Sequence, residues 1–468
     1  MADLLSILSQ GANGLSAHRA AAQTAAHNIQ NVNTEGYSRQ RVDLETLPAE
    51  YLRNTAYAGM GVAIGAISQS RDAFLERQVP ATLRAQAQYT AESSSLRSMV
   101  ALNPESTGGL TEAFSAFYRD MRMLSQNPSQ AGLRAAVTGA ARNVAYAFNR
   151  TANGIQSAQA GIDTQVEQSV EEANRMATRV ANLNGEIAKA RAMGGEPNDL
   201  LDQRRLASDR LSELLGTYPV PDAAGNLNMA LPGGLVIVSA NEASTLTAAA
   251  DPNNAGRLSV QVTRIGTQTT EILSSRLLGG EVRGFLDARD GTLQQTLNAL
   301  DTLAFDFANS VNTQHLAGFD LNGNAGQPMF DVGVTSDGTA GTLSVSAALI
   351  SDHRLLASIG AAGNGPGDGS NVLALIATES QLLSGGETAV GALSSIISSF
   401  GARSREAEAR AQQESAIASN LRAMRESVSG VSIDEEMVNM TKAQRAFDAV
   451  SRVIQTANEM MQTLMTLK

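Results

Sequence analysis

The sequence predicts a mainly α fold with an inserted β domain: terminal helices forming a paired coiled coil, a long helical bundle body, and a small β-rich outer domain. Three observations predict it. Apolar residues recur at alternating spacings of 4 and 3 at both ends of the 468-residue chain. The same rhythm returns in the middle, between breaks rich in Gly and Pro. Around residues 217–276 the composition changes, and prolines and glycines punctuate short β-prone runs. At roughly 150 residues per domain, the length suits about three domains.

The N-terminal seam comprises Leu4, Leu8, Gly11, Leu15, His18, Ala22, Ala25, Ile29 and Val32. Small residues in its middle allow close helix approach. Asn31-Val32-Asn33-Thr34-Glu35-Gly36 then supplies stop and turn residues. The C-terminal seam comprises Met440, Ala443, Phe447, Val450, Ile454, Ala457, Met461 and Leu464, flanked by Val453, Met460 and Leu467. Ser432 has capping-box spacing to Glu435, and Asp434, Glu435 and Glu436 suit the positive end of a helix dipole. An apolar helix at a chain end needs a partner, and the economical one is the other terminus. The pair could be two core helices of an ordinary bundle, or a seam that also packs against neighbouring subunits.

Between the seams, 37–47 and 61–67 alternate like strands, with Val42, Leu44, Val62 and Ile64 as their apolar positions. Helices are expected over 71–102, 110–124 and 131–155. A further heptad stripe runs through Ile162, Val166, Ala173, Met176, Val180, Leu183 and Ile187, with a gap at Ser169. Gly194-Gly195-Glu196-Pro197 breaks it, and Asn198 or Asp199 could cap a return helix to Leu215. Helix should resume over 280–312. A second β-like piece covers 319–348, 360–369 is a loop, and long helices fill 371–427 with a break near Gly385-Gly386. The expected organisation is a terminal coiled coil (1–33 plus 432–468), a helical body (34–216, 277–318 and 349–431) and a β-rich outer domain (217–276 plus 319–348).

Composition bounds the chemistry. Absence of Cys excludes disulfides, Cys-ligated zinc, iron–sulfur clusters and thiol catalysis. A net charge of −11 disfavours a general nucleic-acid role. The first residues form neither a positive n-region nor a continuous apolar h-region, so no cleavable secretion signal is expected. Among His18, His27, His315 and His353 no pair has zinc-protease spacing. Asp320-Leu321-Asn322-Gly323-Asn324-Ala325 loosely matches a calcium loop, but Ala325 replaces the required Gly and Asp331 the bidentate Glu. The Gly-rich run 363–369 lacks the Lys-Ser/Thr of a phosphate loop, and no Gly-x-Ser-x-Gly elbow occurs. No catalytic, cofactor or metal site is expected. A binding module or enzyme site hidden in 217–348 is the reading from a different class.

Residues Ala26-His27-Asn28-Ile29-Gln30-Asn31-Val32-Asn33-Thr34-Glu35-Gly36-Tyr37-Ser38-Arg39-Gln40 resemble the N-terminal signature of the bacterial flagellar rod, hook and hook-associated axial protein family. Within it, the Tyr37-Ser38-Arg39-Gln40 ending favours the first protein of the hook–filament junction. Residues 429–437 and 452–460 are similar to that protein's C-terminal signature. Asp199-Leu200-Leu201-Asp202-Gln203-Arg204 and 312–320 resemble two internal motifs. Longer members carry an extra outer domain in the β region; here Val345 leads almost directly to Asp352, so that domain is expected to be absent or vestigial.

The resemblance implies a structural, non-enzymatic role: an adaptor joining hook to filament, secreted to the extracellular flagellum by type III export. Its terminal helices would be largely unfolded in the monomer and fold on assembly. Isolated helices are marginal, and Met461, Leu464 and Leu467 would each contribute roughly 1.5–3 kcal/mol once buried. Implied partners are further copies in a ring at the hook tip, hook protein, the next junction protein (hook-associated protein 3), and an export chaperone covering the C-terminal helix. The alternative is another axial protein, hook-associated protein 3 itself or a hook protein, which the internal motifs argue against.

Overall fold

The computed structural model describes residues 2–48, 50–52, 56–98, 109–267, 269–273 and 275–466. It is mainly helical, with small antiparallel sheets inserted and the N- and C-terminal helices packed together. Helix α1 (Ala2–Gln30) stops where the sequence places its turn residues, as the Asn31 and Val32 amides fold back onto the His27 and Ile29 carbonyls. Strand β1 (Gln40–Thr46) then runs out, β2 (Glu50–Leu52) and β3 (Ala56–Ala58) pair beyond it, and β4 (Val62–Gln69) returns. β1 and β4 pair antiparallel from Gln40–Gln69 to Thr46–Val62, with a bulge at Asp43/Leu44. This ribbon lies along α1, where Gln10 Nε2 donates to the Gly59 carbonyl at 2.8 Å.

Helix α2 (Leu75–Arg97) starts later than the expected residue 71. Asp72 accepts from the Phe74 and Leu75 amides at 2.7 and 3.2 Å and so sets the first turn there. The expected end, Leu102, lies outside the described residues. After α3 (Leu110–Gln126), the helices expected over 131–155 and 162–187 prove to be one, α4 (Ala131–Ala192), 62 residues long. Its buried stripe is continuous because polar Gln159 and Ser169 are buried in it too. Gln159 donates to the Arg289 carbonyl at 3.1 Å, so its burial leaves no orphaned amide.

Helix α5 (Asn198–Leu215) returns along α4. Neither Asn198 nor Asp199 caps it, contrary to expectation, because tertiary partners compete for both. Asn198 Nδ2 donates to the Ile67 carbonyl at 2.6 Å, and Asp199 Oδ1 accepts from Gln40 Nε2 at 2.9 Å. The β insert holds two sheets. One is a four-stranded meander of β5 (Tyr218–Pro221), β6 (Leu227–Ala230), β7 (Val236–Ser239) and β8 (Glu242–Ala243). The other pairs β9 (Thr245–Ala250) and β11 (Thr270–Ile272) on either side of β10 (Leu258–Thr263).

Helix α6 (Gly280–Leu286) passes through a π-helical turn (Asp287–Leu293) into α7 (Gln294–Leu316). The β-like piece expected over 319–348 reduces to one two-residue pair, β12 (Phe330–Asp331) with β13 (Ser344–Val345), and isolated bridges from Phe319 to Ala325 and Ile359. Between and after these strands stand short helices, α8 (Thr339–Thr342) and α9 (Ala347–Ser351). This pair shares no sheet with the insert. The chain ends with α10 (Ser370–Ala377), α11 (Ala389–Ser429) and α12 (Ile433–Thr466).

One apolar core joins α3, α4, α5, α7 and the inner faces of the insert, with Met229, Ile237, Val260 and Val262 wholly buried. At its centre Phe307 meets Phe114, Phe117 and Phe330 edge-on or tilted, with ring centroids 4.9, 6.0 and 5.6 Å away. Among the described residues, no side chain of α1 or α12 belongs to this core.

Asparagine amides tie irregular strands to helices. An amide can donate to a strand carbonyl and accept from a strand N–H, replacing a missing neighbour strand. Four asparagines do this among the described residues. Asn28 pairs with Gln40, Asn174 with Leu246 and Asn312 with Phe330 through both N–H and C=O. Asn184 holds the Leu227 backbone in the same way. The grip of Asn312 on Phe330 also explains why β12 is seated on α7 instead of extending the insert.

Candidate functional site

Helices α1 and α12 lie against each other, and the closest contact is made by their smallest side chains. Gly11, Gly14, Ala17 and Ala25 are buried on α1, and Ala443 and Ala457 on α12. A Cβ added to Gly11 would lie 2.5 Å from Ile454 Cγ1, and one on Gly14 3.6 Å from Val450 Cγ1. The two glycines therefore let branched side chains of α12 rest on the α1 backbone. The larger seam residues are less completely covered. Leu4, Leu8, Leu15, Ile29, Val32, Met440, Val450, Ile454 and Met461 are half-buried, whereas Phe447 and Leu464 stay 38% and 49% exposed. Leu467 lies outside the described residues. Gly14 and Ala17 were missed because the strict 4-3 rhythm steps from Gly11 to Leu15 and His18; the three-residue spacing Gly11-Gly14-Ala17 was the available signal.

Along α12, Val453, Met460 and Leu464 (51%, 55% and 49% exposed) fall on one side at intervals of seven and four residues. Leu5 and Ile7 of α1 are also exposed. The helix pair thus buries one face internally and leaves apolar flanks in water.

At its root the pair is polar. Asn28 uses its whole hydrogen-bonding capacity there. Its Oδ1 accepts from the Gln40 amide (3.0 Å) and the Tyr37 hydroxyl (2.7 Å), and its Nδ2 donates to the Gln40 carbonyl (2.8 Å) and to Glu436 Oε2 (3.0 Å). Burial, with Asp199, Asp202 and Glu436 nearby, pushes the Tyr37 phenol well above its ordinary pKa range and keeps it a donor. Glu436, buried in the first turn of α12, also receives Arg39 Nε and Nη2 at 2.8 and 2.7 Å, while Arg39 Nη1 reaches Glu435 at 2.9 Å. The expected capping box is therefore only half made. Ser432 Oγ accepts from the Glu435 amide at 3.5 Å, but the Glu435 carboxylate is held by Arg39.

A second buried carboxylate, Asp202 of α5, gathers the body side. It accepts from the Ser38 amide (3.0 Å) and hydroxyl (2.7 Å), Gln69 Nε2 (3.0 Å) and Arg71 Nη2 (2.7 Å). Gly36, at φ +75°, is required here: a Cβ would meet Leu206 Cγ at 2.5 Å, and the Gly36 carbonyl accepts from Arg205 at 2.6 Å. Asn31 bonds back to the His27 carbonyl and Thr34 to Asn31, closing the turn; Asn33 is exposed. Of the signature residues, Asn28, Tyr37, Ser38, Arg39 and Gln40 come together at this root.

Nothing in the arrangement is a reaction centre. Its carboxylates are fully engaged by donors. Elsewhere Asp320 accepts from the Asn322 and Asn324 amides of its own loop at 2.8 and 2.9 Å, so its carboxylate closes a turn. Among the described residues no group of His, Cys, Asp or Glu could hold a metal, and no helix is long and apolar enough to cross a membrane.

The chain is similar to flagellar proteins. The family model "Flagellar hook-associated protein FlgK helical domain" matches residues 97–330, and "Flagellar basal body rod FlgEFG protein C-terminal" matches 425–467. Flagellar hook-associated protein 1 of Escherichia coli K12 is 24% identical, over 99% of this chain and 100% of that protein. That alignment spans 546 positions, more than the 468 residues here, so the E. coli protein carries residues without a counterpart in this chain. The Bacillus subtilis 168 protein of the same name is 28% identical over 96% of this chain and 95% of its own length. The solved structure of the flagellar hook junction protein FlgK from Burkholderia pseudomallei has the same fold, with a TM-score of 0.67 at 17% identity, covering 75% of this chain and 100% of that one. A helical-domain match over half the chain, near full-length relatives and a root built from the axial signature lead to one assignment: this chain belongs to the FlgK family of flagellar hook-associated proteins, structural components of the bacterial flagellum with no enzymatic role.

Proposed function

We propose that this chain is the adaptor at the hook–filament junction, built into the axial tube by its terminal helices. One observation carries the reading: the body closes its own core, but the α1–α12 pair leaves the Val453, Met460 and Leu464 stripe in water. Contiguous exposed apolar surface marks an interaction site. Its occupants in this reading are further copies in a ring at the hook tip, hook protein on one side, and the next junction protein, hook-associated protein 3, on the other. Before assembly the chain travels the type III route to the extracellular flagellum, with an export chaperone covering Phe447, Val450, Ile454, Met461 and Leu464. The far turns of the pair, at 2–10 and 455–466, are then the least ordered part of the free chain, because most of their large apolar side chains are only half-buried (Leu4, Leu8, Met461) or exposed (Leu5, Ile7, Met460, Leu464).

The test is to change Val453, Met460 and Leu464 together to Gln. The purified variant should keep the parent's helicity and melting temperature. Cells carrying it should make hooks without filaments and release filament protein to the medium. Normal motility would overturn the proposal.

A further inference from the structure

We propose that Ser38, Arg39 and Gln40 are positioning residues, a splice that sets the angle between the terminal helix pair and the body. The three are consecutive, yet they bond outward in alternation. Ser38 gives both its amide and its hydroxyl to Asp202 of α5, in the body. Arg39 sends its guanidinium to Glu435 and Glu436 of α12, while its own amide donates to the Ser429 carbonyl at the end of α11 (2.9 Å). Gln40 pairs its backbone with Asn28 of α1 and its side chain with Asp199 of α5. One tripeptide thus grips both terminal helices and two body helices.

The manner of joining matters as much as the contacts. Among the described residues neither α1 nor α12 contributes a side chain to the continuous apolar core, so no described apolar packing within that core holds the pair to the body. Apolar contact is non-directional, and an interface made only of it could pivot. Hydrogen bonds weaken steeply off-axis, and charge-assisted ones are the strongest of them. Two buried carboxylates, Glu436 on the pair and Asp202 on the body, receive these bonds from adjacent residues, Arg39 and Ser38, just before β1. Along the path Glu436–Arg39–Ser38–Asp202 they act in series, so breaking either loosens the same link, while Gln40 keeps only a side tie between Asn28 and Asp199. This aiming role holds whatever the exposed flanks of the pair dock against.

The chain has no cysteine, so two introduced ones can carry spin labels without background. Exposed Thr441→Cys on α12 and exposed Gln203→Cys on α5 report the pair-to-body distance by pulsed electron resonance; Gln23→Cys with Thr441→Cys reports the distance within the pair. In the parent chain both distributions should be narrow. Arg39→Ala and Asp202→Asn should each at least double the width of the pair-to-body distribution. The double variant should be no wider, and the within-pair distribution should stay narrow throughout. An unchanged pair-to-body width in both variants would overturn the proposal. So would joint broadening of both distributions, because the bonds would then be folding the pair and not aiming it.

Discussion

The helical body and the terminal helix pair use the same heptad spacing and reach opposite outcomes. In the body, the α4 stripe is filled by Val137, Val144, Phe148, Ile155, Val166 and Val180, all fully buried, and Phe307 closes the centre. In the pair, the buried contact positions are small, Gly11, Gly14, Ala17 and Ala443, and the large side chains packed on and beside them, Val450 and Ile454 included, are only half-buried or exposed. Period decides that a helix has an apolar side. Side-chain volume along that side decides whether the side is closed within the chain or left partly exposed.

The largest expected effect lies in the body. Phe307→Ala empties the centre of the aromatic cluster and should cost about 3–5 kcal/mol in urea unfolding followed by circular dichroism. If the comparison holds, it leaves the protease sensitivity of the two ends as it was.

Acid comes next, and in the body it acts through His315. His315 is buried, donating from Nδ1 to the Gln327 carbonyl and accepting at Nε2 from the Ala357 amide at 2.9 Å. Burial pushes its pKa down to about 4, from an ordinary value of 6.5. With the folded value below the unfolded one, protons bind the unfolded chain first. Its contribution is therefore complete above pH 6.5, falls as pH drops toward 4, and is level below that. The loss is about 3 kcal/mol over that window. His315→Gln should flatten this part of the profile of melting temperature against pH.

Smaller again is Gly11→Val, which drives a side chain into Ile454. Overpacking of this kind costs about 1–3 kcal/mol. It should speed trimming of both ends by protease while the body's melting temperature stays put. A lower body melting temperature would show the two regions to be one cooperative unit.

The sequence makes the helices legible, and the reasons its other features stay hidden are physical. Heptad spacing reveals α1, α4 and α12 because burial imposes a period on any packed helix. The single helix α4 is disguised by buried Gln159 and Ser169; Gln159 becomes tolerable inside the stripe because the Arg289 carbonyl accepts from its amide. Leu343-Ser344-Val345-Ser346 alternates like a strand, yet only Ser344 and Val345 pair, because Asn312 has already bound the backbone of the facing segment. The root is half legible. Its tripeptide stands out through the axial signature, but Glu436 and Asp202 look like ordinary surface acids on helices. Their role depends on chain segments separated by 397 and 164 residues.

Amide hydrogen exchange of the free, full-length chain tests the central contrast most directly. Amides of α1 and α12 beyond the root should exchange on the order of a hundredfold faster than those of α4, with protection rising toward Asn28 and Glu436. Equal protection along α12 and α4 would contradict the account, since the pair would then be finished within the chain and would need no neighbour to complete it.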